Sequence, residues 1–290
     1  MVTRVTEIDP SAIMRELGFG GDYSVSVLAE NRGKGVWRVE GRDETFALRV
    51  LRPGEREVAL AETRAMQAGS EAGAPAPRVV AAGTWDTRPV MLLSWCEGRT
   101  LHEEARRRPW AVFALAIACG RAQALLNAQP APADLTATSW LTRFGDVDAE
   151  LGARLAAAEG PRAGLLHFDF HPHNVLVSGR EVSGLVDWTN ACGGDGRADL
   201  ARSWSLLTHR PRGGVRARAT AWVWRVAAAG WQRGYEQVAG PQRDMPVFRI
   251  WALTGLLHSL RAEGAAGDDL ARLESRIARM RERAGMSAAG

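Results

Sequence analysis

The chain has 290 residues, of which 46% are hydrophobic and 24% charged, so it can bury a sizeable core and is not a disordered or low-complexity chain. Its net charge of +4 and isoelectric point near 9.5 come from arginines spread along the sequence, with Lys34 the single lysine; such a spread reads as solvated helix faces, not a nucleic-acid footprint. No apolar run reaches the length of a membrane span, residues 1–5 lack a signal peptide's apolar core, and Cys96, Cys119 and Cys192 are odd in number and scattered, which points to a reducing, cytoplasmic setting without membrane or nucleic-acid partners.

Asp9-Pro10-Ser11 predicts a helix start, with the helix running to about Leu17 and stopping at Gly18. Strand patterns follow at residues 23–28, 36–39 and 45–50. The stretch 29–35 between the first two contains Asn31, Gly33 and Lys34. A tight glycine-containing turn between strands lets backbone N–H groups approach phosphate oxygens. A helix is expected over 56–69, carrying Glu57 and Glu62, then strands at 78–85 and 90–95 joined by the turn 86–89.

From Pro109 the chain turns helical. Residues 111–126 are apolar nearly all round and predict a buried helix. Further helices are expected over 140–144 and 149–158, from Asp199 through Leu207, over 215–238 and 247–263, and in a last segment capped by Asp268 or Asp269.

The most informative stretch is 167–187, whose middle reads as a hairpin: an apolar strand at 175–177, a turn at 178–181 and a return strand at 182–186. Asn174 opens the outgoing strand and Asp187 closes the return strand, so both sit at one end of the hairpin. Neighbouring strands lie roughly 5 Å apart, so an amide oxygen and a carboxylate there can share one small hard cation, for which magnesium is suited. Asp169, five residues before Asn174, can face the same point without ligating the metal. Phosphoryl transfer asks for these parts: a metal on the phosphates and a carboxylate to position the attacking hydroxyl and accept its proton. His167, Asp169, His171 and His173 also crowd like zinc ligands, a rival that leaves Asn174 and Asp187 unexplained.

His-x-Asp, Asn five residues after the Asp, and a further Asp thirteen after that match the spacing of a kinase catalytic loop and its metal-binding Asp. With His171-Pro172, Asp187-Trp188 and the later Asp195 and Asp199-Leu200-Ala201, the chain resembles the aminoglycoside phosphotransferase and choline kinase family of small-molecule kinases. Phe168 and His173 stand where the family usually has glycines.

The resemblance implies an α+β, bilobal, protein-kinase-like fold: a β-rich nucleotide-binding lobe over 1–95 and a larger, mainly helical lobe over 96–290. It implies ATP or GTP and Mg²⁺ as cofactors, Asp169 as the catalytic carboxylate, and Asn174 and Asp187 as metal ligands. Arg49 takes the place of the usual strand lysine, with Glu62 as its partner, and Asn31, Gly33 and Lys34 belong to the loop over the phosphates. The stretch 94–100 becomes the hinge, with the backbone of Ser94 and Cys96 reading the purine. Asp199 braces the catalytic loop. The implied acceptor is a small-molecule hydroxyl, on an aminoglycoside-like or other cationic antibiotic first, with Asp146, Asp148, Asp195 and Glu263 as candidate substrate carboxylates. Choline-like and other metabolite alcohols stay open, as do a non-catalytic nucleotide-binding role and a monomeric or homodimeric state.

Overall fold

The computed structural model describes residues 8–31, 34–136, 139–158, 164–209 and 215–287, without the side chains of Glu30, Asn31 and 215–220. It opens with α1 (Pro10–Glu16), capped by Asp9, whose Oδ1 accepts the N–H groups of Ser11 and Ala12 at 3.0 and 3.1 Å. Strands β1 (Ser24–Asn31), β2 (Lys34–Glu40) and β3 (Thr45–Val50) follow, then α2 (Arg56–Glu71), β4 (Val79–Trp85) and β5 (Arg88–Ser94). The five strands form one antiparallel sheet in the order β1-β2-β3-β5-β4.

Alternation along β3 fixes what each face of this sheet does. Phe46, Leu48 and Val50 join Ile13 and Met14 of α1 in one apolar cluster. The intervening Ala47 packs with Met66, Met91 and Leu93 on the other side, and Arg49 shares that side by the two-residue period of a strand. The β4–β5 connection is tighter than the predicted 86–89. Only Asp86 and Thr87 turn, both with positive φ (44° and 64°), the conformation that matches the twist of a two-residue hairpin.

Beyond the sheet come β6 (Arg99–Thr100) and α3 (Leu101–Arg107). The sequence pattern missed α3, although Thr100 and Glu103 form a complete capping box at its start. Then follow α4 (Val112–Asn127), α5 (Ala149–Ala157), β7 (Gly164–Leu166), β8 (Val175–Ser178), β9 (Glu181–Leu185), β10 (Cys192–Gly194), α6 (Gly196–Thr208), α7 (Val215–Ala239), α8 (Met245–Ala262) and α9 (Gly267–Arg283). The helix predicted over 140–144 is a single 3₁₀ turn, Trp140–Thr142. Asp195, not Asp199, caps α6, which therefore starts three residues early. Asp268 and Asp269 lie in the first turn of α9, whose cap position is Ala266.

Contrary to the sequence reading, one segment, Pro109–Asn127, is long and apolar enough to cross a membrane by length and composition. Packing accounts for its character. Helix α4 crosses α7 so closely that a Cβ at Gly120 would sit 1.9 Å from the Trp231 carbonyl oxygen, and one at Gly234 2.0 Å from that of Ile117. Buried Gln123 closes the contact, donating to Ser203 Oγ at 2.9 Å and accepting from Trp231 Nε1 at 2.7 Å.

Candidate active site

Two small sheets hold the 167–187 stretch. β7 pairs with β10 through Leu166↔Cys192, and β6, β8 and β9 form a three-stranded sheet. The predicted hairpin is β8–β9, with Gly179 and Arg180 between the strands. Its open end is pinned by the Val186 N–H donating to the Asn174 carbonyl at 2.9 Å. The loop 167–174 and the loop after β9 therefore leave paired strands side by side.

Asp199 braces the first loop from below. Its Oδ1 accepts the Phe168 N–H at 2.9 Å, and its Oδ2 accepts the His167 N–H at 3.1 Å and Asn127 Nδ2 at 2.9 Å. Tyr235 then donates its hydroxyl to Asn127 Oδ1 at 3.2 Å, which ties the loop to α7. His167 is fully buried, accepts the Asp169 N–H on Nδ1 at 3.3 Å, and meets Trp188 edge to face with 4.7 Å between ring centres. Burial pushes its pKa down, against the pull of Asp199 and Asp169.

Phe168 occupies the left-handed region with φ 59°, which costs a side-chain-bearing residue about 1–2 kcal/mol. Its ring compensates by packing, fully buried, 5.4 Å from Phe144 and 5.6 Å from Trp251, centre to centre. Phe168→Gly relieves the backbone but empties the ring's site, so a net loss of about 2–3 kcal/mol is expected, read as a lowered denaturant midpoint. An unchanged midpoint would show that the ring's packing only balances the backbone strain.

Asp169 Oδ2 accepts Asn174 Nδ2 at 2.9 Å, and Asp169 Oδ1 lies 3.4 Å from His171 Nε2. With its amide nitrogen committed to Asp169, Asn174 has its oxygen to offer the cleft wall that it shares with Asp187. An amide oxygen beside a carboxylate is a donor set that fits a small hard cation. The zinc reading fails on geometry: among the described residues no group of three or more His, Cys, Asp or Glu side chains is arranged to hold a metal. His173 instead stacks on His102 at 4.2 Å, and His102 on Trp224 at 5.7 Å.

Arg49 reaches across from β3. Its Nε lies 3.2 Å from Glu62 Oε2, too poorly aligned for a hydrogen bond, while its Nη2 donates to Asp187 Oδ1 at 3.1 Å and to Thr189 Oγ1 at 2.7 Å. Burial raises the Glu62 carboxyl above its usual range, and the Arg49 charge pulls it back only in part. Burial also pushes Asp187 up, but Arg49, the Thr189 hydroxyl and His167 outweigh it, so its carboxyl sits below the usual range. The Asp187 contribution to stability is therefore present above the unfolded carboxylate range and lost as pH falls through its depressed value. Asp187 itself has φ 64°. The loop is seated by Gly69 of α2, where a Cβ would come within 2.6 Å of the Trp188 ring.

Arg49, Glu62, Asn174 and Asp187 line one end of a cavity of about 570 Å³, and Val36, Ala47, Leu93, Leu176 and Val186 line the apolar remainder. Ser94 and Cys96 are on its wall, but the Ser94 N–H donates to the Arg78 carbonyl at 2.9 Å and is not available to a ligand. Among the described residues no backbone partner engages Cys96. The predicted phosphate loop is largely strand: β1 and β2 pair as far as Asn31↔Lys34. Gly33 and the Asn31 side chain lie outside what is described, and Lys34 is exposed and absent from the cavity wall.

The four candidate substrate carboxylates divide. Asp195 is buried, caps α6 through the Arg197 N–H at 2.9 Å, and pairs with the Arg197 guanidinium at 2.6 Å. Asp148 caps α5 through the Leu151 N–H at 3.0 Å and pairs with buried Arg281 of α9 at 2.8 Å; that bonding holds its carboxyl below the usual range. Both are structural, which corrects the sequence reading. Asp148→Ala is expected to lose at least about 2 kcal/mol, because it removes a helix cap and the nearest partner of buried Arg281, with steady-state kinetics unchanged; a raised acceptor KM at parental stability would restore its substrate role. Asp146 and Glu263 are exposed and, among the described residues, have no ion-pair partner.

Sequence reasoning missed Arg143, which donates to the Thr189 carbonyl at 2.9 Å, and Arg202. The latter is buried, lies over the Phe144 ring at 4.1 Å, and has no acceptor for Nε or Nη1. Burial lowers its pKa to about 10, and Asp169 and Glu263 are the charges that pull it back up. Its signal was its place on α6, three residues after Asp199 and so on the same helix face.

A family model described as the phosphotransferase enzyme family (APH) matches residues 24–241. The chain belongs to this family and is a phosphotransferase with an alcohol group as acceptor. Its fold is that of the protein-kinase-like phosphotransferases. A thermostable mutant of aminoglycoside phosphotransferase APH(4)-Ia, in ternary complex with AMP-PNP and hygromycin B, superposes with TM-score 0.67 at 16% identity, covering 95% of this chain and 98% of its own. Aminoglycoside-3'-phosphotransferase of type VIII gives 0.61 at 20% identity over 83% and 96%. A putative fructosamine-3-kinase from Haemophilus somnus gives 0.62 at 13% over 93% and 96%. No curated protein matches the chain by sequence.

Proposed function

We propose that the chain transfers the γ-phosphoryl group of ATP or GTP to a hydroxyl of a small molecule, with aminoglycoside-like and other cationic antibiotics as the first acceptor class. One observation carries the reading. Asn174 holds Asp169 through its amide nitrogen and keeps its oxygen for the wall it shares with Asp187 and Arg49, so the acceptor's carboxylate and the donor's phosphate end meet at one residue.

Asp169 orients the acceptor hydroxyl and takes its proton as the new phosphorus–oxygen bond forms. Arg49, set against Glu62, steadies the nucleotide phosphates with a permanent charge. Asn174 and Asp187 are the oxygen donors for Mg²⁺, which when bound neutralises phosphate charge. The purine lies between Val36 and Ala47 on one side and Leu176 and Val186 on the other, with the Cys96 backbone at its edge. The donor thus sits between a lobe formed by 1–95 and a lobe formed by 96–290. Asp146 and Glu263 are the carboxylates left to a cationic acceptor.

The test is magnesium-dependent release of nucleoside diphosphate, with ATP and with GTP, against aminoglycosides, peptide antibiotics, macrolides and choline. Release stimulated by one acceptor class, and abolished by Asp169→Asn, is expected. Saturable nucleotide binding with no phosphorylated product from any acceptor would overturn the catalytic reading. A metabolite alcohol as the only stimulating acceptor would overturn the antibiotic class alone.

A further inference from the structure

A second concentration of charge lies away from the nucleotide cleft, among α6, α7, α8 and α9. Trp204 of α6 meets two guanidinium groups, with the central carbons of Arg249 (α8) and Arg276 (α9) 4.7 and 4.6 Å from its ring centre. Arg276 Nη2 also donates to Thr208 Oγ1 at 2.9 Å, and Arg249 Nη2 donates to Gln232 Oε1 at 2.5 Å, while Arg249 Nε is buried with no acceptor. Arg225 of α7 and Arg279 of α9 lie close enough to act on Arg276: its pKa is lowered by burial first and then by the charges of Arg225, Arg249 and Arg279.

Among the described residues, none of these four arginines forms an ion pair. Face-on contact with Trp204 attracts a cation but does not neutralise it; Glu236 acts on Arg249 as a counter-charge, without an ion pair. Like charges held this close repel and so destabilise the packed helices, unless an anion joins them. Room for one is present. Thr208, Ser275, Arg276 and Arg279 line an open cavity of about 590 Å³. Its other charged lining residues are Arg272, which pairs with Asp269, and Asp268 in the first turn of α9.

We propose that this cavity is a second anion site, which takes a dianionic phosphate group, free or as a small phosphomonoester, on Arg276 and Arg279. Arginine forks bind phosphate oxygens bidentately. Arg276 and Arg279 share the wall of a concavity, which suits a small anion over an extended nucleic-acid backbone.

The test follows thermal unfolding and tryptophan fluorescence of the whole chain, titrated with inorganic phosphate, with glycerol phosphate, and with chloride at matched ionic strength. Phosphate is expected to raise the unfolding midpoint saturably, by roughly 3 °C at several times its Kd, where chloride does not. Arg276→Gln and Arg279→Gln each abolish the gain, and without phosphate Arg276→Gln is no less stable than the parent, since repulsion is relieved. Trp204→Phe keeps the thermal gain and loses the fluorescence response. A larger gain with glycerol phosphate identifies an ester as the ligand; an equal one identifies free phosphate. Equal responses to phosphate and chloride overturn the proposal. So does a gain that survives in both arginine variants and disappears in Arg49→Met, which would put the phosphate in the nucleotide cleft.

Discussion

Asp169→Asn lowers kcat by roughly 10²–10⁴, the usual worth of a positioned base, and leaves nucleotide affinity little changed. The substitution keeps the shape of the site. Its amide oxygen can still accept Asn174 Nδ2, which stands 2.9 Å from the parent carboxylate, so the loop braced by Asp199 has no reason to move. What is lost is an oxygen able to take the acceptor's proton, beside His171 at 3.4 Å. Steady-state rates at saturating acceptor, with nucleotide binding measured separately, check the split. A variant that turns over like the parent would remove Asp169 from the chemistry.

Arg49→Met is expected to be damaging twice, for separable reasons. Glu62 is 2% exposed, and Arg49 is its ion-pair partner, 3.2 Å away. Removing that partner strands a buried carboxylate, for which about 3–5 kcal/mol is the usual cost. The same change takes the bonds from Asp187 and Thr189 and the charge from the phosphate end of the cleft. Arg49→Met with Glu62→Met removes both buried charges, and stability should return while turnover does not. Arg49→Lys keeps the charge against Glu62, so it should stay near parental stability. If Arg49→Met unfolds at the parental midpoint, the pair is not holding α2 to the sheet. If the double variant is fully active, Arg49 has no part in handling the nucleotide.

Much of the fold could be read from local pattern, because local pattern carries local physics. The strand expected over 45–50 is present with those bounds, and its two-residue period puts Phe46, Leu48 and Val50 on one face and Arg49 on the other. The hairpin around 178–181 was legible because turn residues and apolar runs leave few alternatives. Boundaries and small elements were less so. The segment 29–35 looked like a loop from its glycines, yet cross-strand pairing extends through it to Asn31 and Lys34. β7 and β10, three residues each, exist because they pair with one another across the site, and neither has a pattern long enough to announce itself.

By itself the sequence determined the sheet faces, the spacing that brings Asp169, Asn174 and Asp187 to one end of a hairpin, and through these the class of chemistry. Only tertiary structure decided the fate of the charges. Asp148 and Asp146 are two residues apart on similar-looking chain, and both are exposed, but Arg281, 133 residues further on, pairs with the first and not the second. Arg49 meets Asp187 across 138 residues. Spacing along the chain says which face a side chain shares, because that is set by backbone geometry within a few residues. Which charge neutralises which is set by the packing of remote elements, and no local pattern encodes it.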